Sequence, residues 1–586
     1  MKKLNSLLMA LALLLPVLSV TGCSSDNLGA VNEDRAAVVS SDEFDYGALW
    51  QEVAEHNRKG LPKSALKIVE KIYRTAKENN QAAQFIKALI HKMHFLQRVE
   101  EETLIKIFKL LGEEIETSRF PVTPVLHSIL AEQYWNYYRG NRYRFLKRTA
   151  SASGEVKQDD IRTWDLRKIV EEMVRHYQAS FKDAEKAKAT KIDIYDTILA
   201  VGKSGRKYRP TLFDFLAHRA IDFFKSSESD LTQPVYRFSL NKEEYFAPAR
   251  DFAKLKISTR DPLSFHYFAL TGLQELIRFH LDDKNPAALV DVDLKRLRFL
   301  YDEAVINNKE KIYESVLKQM VDTYSETPAA AEIYYELAAL YNRLGDKYKP
   351  RDKSAEAYKQ YKKKAHELCK KTIARYPGSP GACQCKNLAA GIEGRTMQVT
   401  VGNAAAPGQP FPALLTYRNT DNIYLKIVKT DRKEIEAKNR LNQKEMLAFF
   451  IGKDPVRNWH TALPDDGDFQ SHSAEIKCAG LDPGRYMLLG SHSKEFDFKT
   501  HAVVFNFFSV SNIAYVHRRS DQKGLEFYLL HRETGKPLSG AAAQVWYREY
   551  DRPTRKYVHK KGPLFRADAG GYFNITRKQD IKNYFN

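Results

Sequence analysis

Several short runs contain residue types that could do chemistry. Gly202-Lys203-Ser204 has the ending of a loop that wraps a phosphate with backbone amides and a lysine. That loop requires a glycine at position 197, where Thr197 stands, so the run reads as an ordinary loop. His366-Glu367 begins the helical pair of a zinc protease, which needs a second histidine one turn on. Lys370 occupies that place. Asp465-Asp466-Gly467-Asp468 offers clustered carboxylates to a cation but lacks the full spacing of a calcium loop, and a solvated turn is the favoured reading. Cys383-Gln384-Cys385 offers two thiols, with no second pair or histidine cluster at zinc spacing. Small buried residues on a helix is the simpler reading. A Ser-His-Asp set needs closeness only in space and is not assembled from sequence. No catalytic residue, cofactor site or metal ligand is assigned, and the chain is expected not to be an enzyme.

One cysteine has a sharper chemical fate. Met1-Lys2-Lys3 is a basic start, Leu7 to Val20 is an apolar run broken only by Pro16 and Ser19, and Val20-Thr21-Gly22-Cys23 follows. The run is shorter than the roughly 20 apolar residues that span a bilayer. It has the form of a secretory signal. Apolar, small, Gly, Cys resembles the lipobox of bacterial lipoproteins, in which the chain is cut before the cysteine and its thiol is diacylated. On this reading Cys23 is the lipidation site, residues 1–22 are the signal peptide, and 23–45, rich in Ser, Asp and Ala, are a flexible tether. The expected location is the cell envelope, at the periplasmic or surface face of the outer membrane, with the membrane as a partner through the lipid.

Composition bounds the rest. The chain has 586 residues, 43% of them hydrophobic, room for roughly four domains at about 150 residues each. Its formal charge is +20 and its pI about 9.3, which in a cytosolic protein would suggest nucleic acid. Tyr134-Trp135-Asn136-Tyr137-Tyr138-Arg139-Gly140-Asn141-Arg142-Tyr143-Arg144-Phe145 interleaves aromatics with arginine in a way that could stack bases. Export weakens that reading. A helix end whose rings pack inward is preferred, and no nucleic-acid partner is expected. Cys369 and Cys383 could pair across a helical hairpin in an oxidising compartment.

Residues 46–395 have helical periodicity. Leu66, Val69, Tyr73 and Ala76 share one face, after a break at Gly60-Leu61-Pro62 that folds back a helix bearing Trp50 and Val53. Ile129, Leu130, Tyr134, Tyr137 and Tyr138 mark a second helix, and Ile333, Leu337, Leu340 and Tyr341 a third. Residues 149–159 read as a loop. Tyr324-Ser325-Glu326-Thr327-Pro328-Ala329-Ala330 returns as Tyr376-Pro377-Gly378-Ser379-Pro380-Gly381-Ala382. Ser or Thr then Pro provides an N-cap and a first-turn residue with no amide to lose. The junction resembles that of tetratricopeptide repeats, but at a spacing of about 50 residues against about 34, so an irregular helical-hairpin array is expected. From Met397 the pattern turns to strands, with Ile423, Leu425 and Ile427 alternating, the run Met487-Leu488-Leu489, a β-prone stretch from His501 to Val510, and Leu525, Phe527 and Leu529 alternating. The fold class is therefore multidomain, α then β: a helical hairpin array followed by immunoglobulin- or fibronectin-III-like sandwiches at 396–510 and 511–586.

The β half resembles the N-terminal macroglobulin domains of bacterial alpha-2-macroglobulin-like lipoproteins. Pro407-Gly408-Gln409-Pro410 with Tyr417-Arg418-Asn419, and the hairpin Leu481-Asp482-Pro483-Gly484-Arg485-Tyr486, resemble the first such domain. Thr534-Gly535-Lys536-Pro537-Leu538-Ser539-Gly540-Ala541, followed by Ala569-Gly570-Gly571-Tyr572-Phe573, resembles the second (MG2) domain. The resemblance implies envelope defence by protease entrapment, an endopeptidase-inhibitor activity with proteases as partners. It also implies a bait region and, in some members, a Cys-x-x-Gln thioester. None of Cys23, Cys369, Cys383, Cys385 or Cys478 has glutamine three residues on. The chain is expected to be an N-terminal portion, with its second sandwich truncated. The alternative is a non-inhibitory envelope scaffold that binds other envelope proteins through its helical repeats and sandwiches.

Overall fold

The computed structural model describes residues 44–101, 103–147, 160–199, 205–226, 236–438, 442–498, 502–520, 524–553 and 556–575. They form two compact units, one of residues 1–340 with 367–388 and one of 341–366 with 389–586. Helices come first in the chain and β-sandwiches follow.

In the first unit the break at Gly60-Leu61-Pro62 is real. The helix Tyr46–Arg58 ends before it, and Pro62 opens the helix Pro62–Glu78. That helix buries Ala65, Val69, Ile72, Tyr73 and Ala76, so the stripe is centred one position before Leu66, which is only half-buried. Trp50 stays at the margin and donates its ring N–H to Gln84 Oε1 at 2.8 Å. The helix Val122–Gly140 buries Ile129, Leu130, Tyr134, Tyr137 and Tyr138 as the periodicity requires.

Both copies of the repeated junction close in the same way. Thr327 Oγ1 donates to the Tyr324 carbonyl at 2.8 Å, and Ser379 Oγ donates to that of Tyr376 at 2.8 Å. In the second copy Ser379 Oγ also accepts from the Ala382 amide, at 3.2 Å, capping the helix Pro380–Glu393. Gly381 then lies directly on the backbone of the other copy. A Cβ there would come within 2.2 Å of the Ala331 carbonyl carbon. Cys369 and Cys385, both fully buried, face one another across this hairpin and their thiols hydrogen-bond. The partner of Cys369 is thus Cys385, where the sequence allowed a pairing with Cys383. None of Cys369, Cys383, Cys385 and Cys478 is in a disulfide.

In the second unit the strands are β1 (Thr396–Val401), β2 (Ala404–Ala405), β3 (Phe411–Arg418), β4 (Asn422–Thr430), β5 (Arg457–Ala462), β6 (His472–Cys478), β7 (Gly484–Ser491) and β8 (Val503–Val510). They form a sheet of order β1-β3-β6 facing one of order β2-β8-β7-β4-β5. Alternate residues of each strand meet between the sheets: Val399 and Val401, Ala413 and Leu415, Ile423, Leu425 and Ile427, Tyr486 and Leu488. The continuous apolar run in β7 has its own reason. Met487 and Leu489 point away from that core and are covered by the helix Gln443–Ile451, through Met446, Leu447 and Phe450. A central strand covered on both faces loses alternation.

A second sandwich follows, with β9 (Ile513–Ser520), β10 (Gly524–His531), β11 (Ala542–Asp551), β12 (Lys556–Arg566) and β13 (Tyr572–Ile575). One sheet has order β13-β10-β9 and the other is the β11-β12 pair. Leu529, Val545, Phe573 and Ile575 form its core, with Leu525 and Phe527 packed against it. Against the expected alternation, Glu526 is buried. Arg518 Nε at 2.6 Å and the Tyr572 hydroxyl at 3.0 Å both donate to its carboxylate.

The Gly381 contact can be tested directly. Gly381→Ala gains about 1 kcal/mol in helix propensity but forces the repeat copies apart, an overpacking cost of about 1–3 kcal/mol or more. We expect a net loss of stability, read as a lower urea midpoint, and an unchanged or raised midpoint would refute the contact.

Candidate functional site

The helical unit buries several groups of the kind that do chemistry, and each proves to be tied into the fold. Thr211 and Asp214 form a reciprocal capping box at the helix Leu212–Phe224. The second oxygen of Asp214 faces His280 Nε2 at 2.7 Å, while His280 Nδ1 faces Asp283 Oδ2 at 2.7 Å. Burial lowers the His280 pKa, but the two carboxylates together outweigh it and the net shift is upward. The ring sits between two carboxylate acceptors that favour its charged form. Lys295 meets His218 Nδ1 at 3.0 Å and Asp222 at 2.6 Å. Burial pushes this lysine down to about 8, against the pull of Asp222. Arg296 is fully buried and donates to Asp293 and to the carbonyls of Tyr245 and Ala247, with its guanidinium 4.3 Å from the Phe252 ring centre. An apolar cavity lined by Ile86, Ile129, Leu199 and Phe215 holds about 30 Å³, the room of one or two water molecules.

The turns that carry the sequence motifs in the second unit are joined to each other through the backbone. Gly408, in the Pro407–Pro410 turn, donates its amide to the Leu481 carbonyl at 2.9 Å. Leu481 opens the hairpin in which the Tyr486 hydroxyl reaches back to the Asp482 carbonyl at 2.9 Å. Arg418 and Asn419 leave the end of β3 and donate to the carbonyls of Gly394 and Ile392, with the shortest bond 2.7 Å from Asn419 Nδ2. In the second sandwich Leu529 is the meeting point. Its amide donates to the Gly571 carbonyl at 2.8 Å, and its carbonyl accepts from Leu538 at 3.0 Å. Gly571 has φ +75, and a Cβ on it would lie 2.4 Å from the Leu529 oxygen, so only glycine fits. Asp568 Oδ1 accepts from the amides of Gly570 and Tyr572, each at 2.8 Å, and fixes that turn. Gln409, in the Pro407–Pro410 turn, donates to Glu533, in the turn after β10.

The acidic run departs from its expected form. Asp465 and Asp466 are exposed, but Asp468 is buried at 1% exposure. The loop is drawn in because Gln470 donates its side-chain amide to the carbonyls of Gly345 and Lys359, each at 3.1 Å. Asp466, Asp468 and His472 bring one donor atom each to within 4.8 Å of one another. Sequence reading missed His472 because it stands beyond the acidic run, on the first residue of β6.

Other residues named from sequence fall as follows. Cys23 and Gly202-Lys203-Ser204 lie outside the described residues, as do the signal peptide, nearly all of the tether and the 149–159 loop. His366 pairs with Glu393 Oε1 at 2.6 Å. In the aromatic and arginine stretch, Tyr134 stacks on Phe108 at 4.8 Å and Tyr137 and Tyr138 pack on Phe145, while Arg142, Tyr143 and Arg144 are exposed. The buried rings are spent on helix packing. Among the described residues no helix is long and apolar enough to cross a membrane.

In fold comparison the chain is similar to native alpha-2-macroglobulin from Escherichia coli, in a structure spanning domains MG0-NIE-MG1, at 12% identity and a TM-score of 0.23. The match covers 32% of this chain and 58% of that one. No protein-family model and no curated protein matches the chain.

The His280 bridge gives the helical unit a pH dependence. Its pKa is raised on folding, so its contribution is fully present below the unfolded value of about 6.5 and is lost as pH rises through the folded value. We expect the unfolding midpoint of the wild type to fall across that window. Asp214→Asn should cost about 3–5 kcal/mol, as for a broken buried pair, and should flatten this part of the profile. A profile unchanged by Asp214→Asn would remove His280 as its cause.

Proposed function

We propose that this chain carries the scaffold modules of a lipid-anchored, alpha-2-macroglobulin-like protein of the cell envelope, whose whole length defends the envelope by entrapping proteases. The observation that carries the proposal is the closure of the motif turns. Gly408 on Leu481, and Gly571 and Leu538 on Leu529, give the motif residues a geometric role, since each makes a backbone contact that closes a turn. On this reading the chain performs no catalysis. Its anchor is lipid on Cys23 at the outer membrane.

Two experiments test the parts separately. Cells fed an alkyne-tagged fatty acid should label the wild-type protein and not Cys23→Ala, which should move to the soluble fraction. Label retained on the variant would sink the anchor. The whole protein, mixed with a broad-specificity protease at equal molar ratio, should block cleavage of large substrates and spare small peptides. Equal cleavage of both would sink entrapment and favour a non-inhibitory scaffold.

A further inference from the structure

The loop between β5 and β6 places three metal-binding side chains together and leaves one of them unsatisfied. Asp468 is 1% exposed. Its Oδ1 accepts from the Gln470 amide at 2.8 Å and lies 3.0 Å from His472 Nε2. Its Oδ2 is buried and has no hydrogen-bond partner. A buried carboxylate oxygen without a donor is costly. The cation nearest to it, Lys359 Nζ, stands 4.0 Å away and is engaged instead with Asp466 Oδ2 at 3.2 Å. The loop is held independently of these groups, by Gln470 and by the Tyr417 hydroxyl, which donates to the Pro464 carbonyl at 2.8 Å.

We propose that Asp466, Asp468 and His472 form a binding site for a divalent transition-metal ion of the Zn²⁺ type, with Lys359 as a built-in competitor for it. One imidazole nitrogen and two carboxylates suit Zn²⁺, whereas Ca²⁺ takes six to eight oxygens and Mg²⁺ keeps an octahedral water shell. The donor atoms lie within 4.8 Å of one another, against about 3.3 Å between ligands of a tetrahedral site with bonds of ~2 Å. Asp466 is exposed, and a rotamer change that releases its bond to Lys359 closes that difference. His472 binds through Nε2, with its ring proton at Nδ1, and water completes the coordination. The Lys359 ammonium lies where it repels the incoming ion, so the site fills only as Lys359 swings out to solvent.

The test is calorimetric titration of the detergent-solubilised full chain with Zn²⁺, checked by competition with a chromophoric chelator. One equivalent should bind to the wild type. Asp466→Asn, an exposed change that leaves the fold intact, should weaken binding by about tenfold or more, and His472→Gln should do the same. Lys359→Met should tighten it by about an order of magnitude through loss of a like charge. Binding that is absent from the wild type, or unaffected by Asp466→Asn and His472→Gln, would overturn the site. Unchanged affinity in Lys359→Met would overturn the competitor role.

Discussion

A buried backbone carbonyl that has left a helix or a sheet must still find a donor, and throughout this protein side-chain N–H groups provide it. In the helical unit Arg296 serves the carbonyls of Tyr245 and Ala247, Gln274 those of Phe252 and Leu255, and Arg278 that of Ala253. All of these lie in the short helical turns between residues 243 and 255. In the second unit Arg418 and Asn419 do the same for the last turn of the helix Pro380–Glu393, and Gln470 for the segment after Gly345. The long helices and the sheets are conventional in their own bonding. What fixes the irregular chain between them is this set of polar side chains, of which Arg296, Gln274 and Gln470 are buried.

The sandwiches rely on a different device for the same problem. Their turns are bound to one another by main-chain bonds that require glycine or a tight turn, at Gly408 with Leu481 and at Gly571 with Leu529. Loops beside such fixed turns can carry unusual side chains without loss of geometry. The loop bearing Asp468, which leads into β6 at His472, is one, held at its start by Tyr417 and along its length by Gln470.

Much of this architecture was legible in the sequence, because periodicity and turn chemistry are local. Thr327-Pro328 and Ser379-Pro380 announced the repeated junction, and Ile423, Leu425 and Ile427 the inner face of β4. The failures share a cause. Asp468 reads as solvated beside Asp465 and Asp466, and only a clamp from residue 470 onto residues 345 and 359 makes it buried. Glu526 reads as an outward residue, and its burial depends on Arg518 and Tyr572. The His280 bridge joins positions 66 residues apart. Polar burial is decided by partners distant in the chain, and spacing along the sequence does not record them.

The Gln470 clamp also bears on the order in which the chain acquires its structure. Its acceptors lie 125 and 111 residues earlier in sequence. Closing a loop of that length is entropically unfavourable until other contacts have drawn the ends together. The Gly345 carbonyl has a local donor in the Tyr348 amide, at 3.2 Å, whereas the Gln470 bonds to it and to Lys359 form only once other contacts have brought the loop before β6 to them. The stretch from residue 345 to 366 precedes every strand of the sandwich in sequence, yet part of its bonding is completed only by a side chain from the loop before β6.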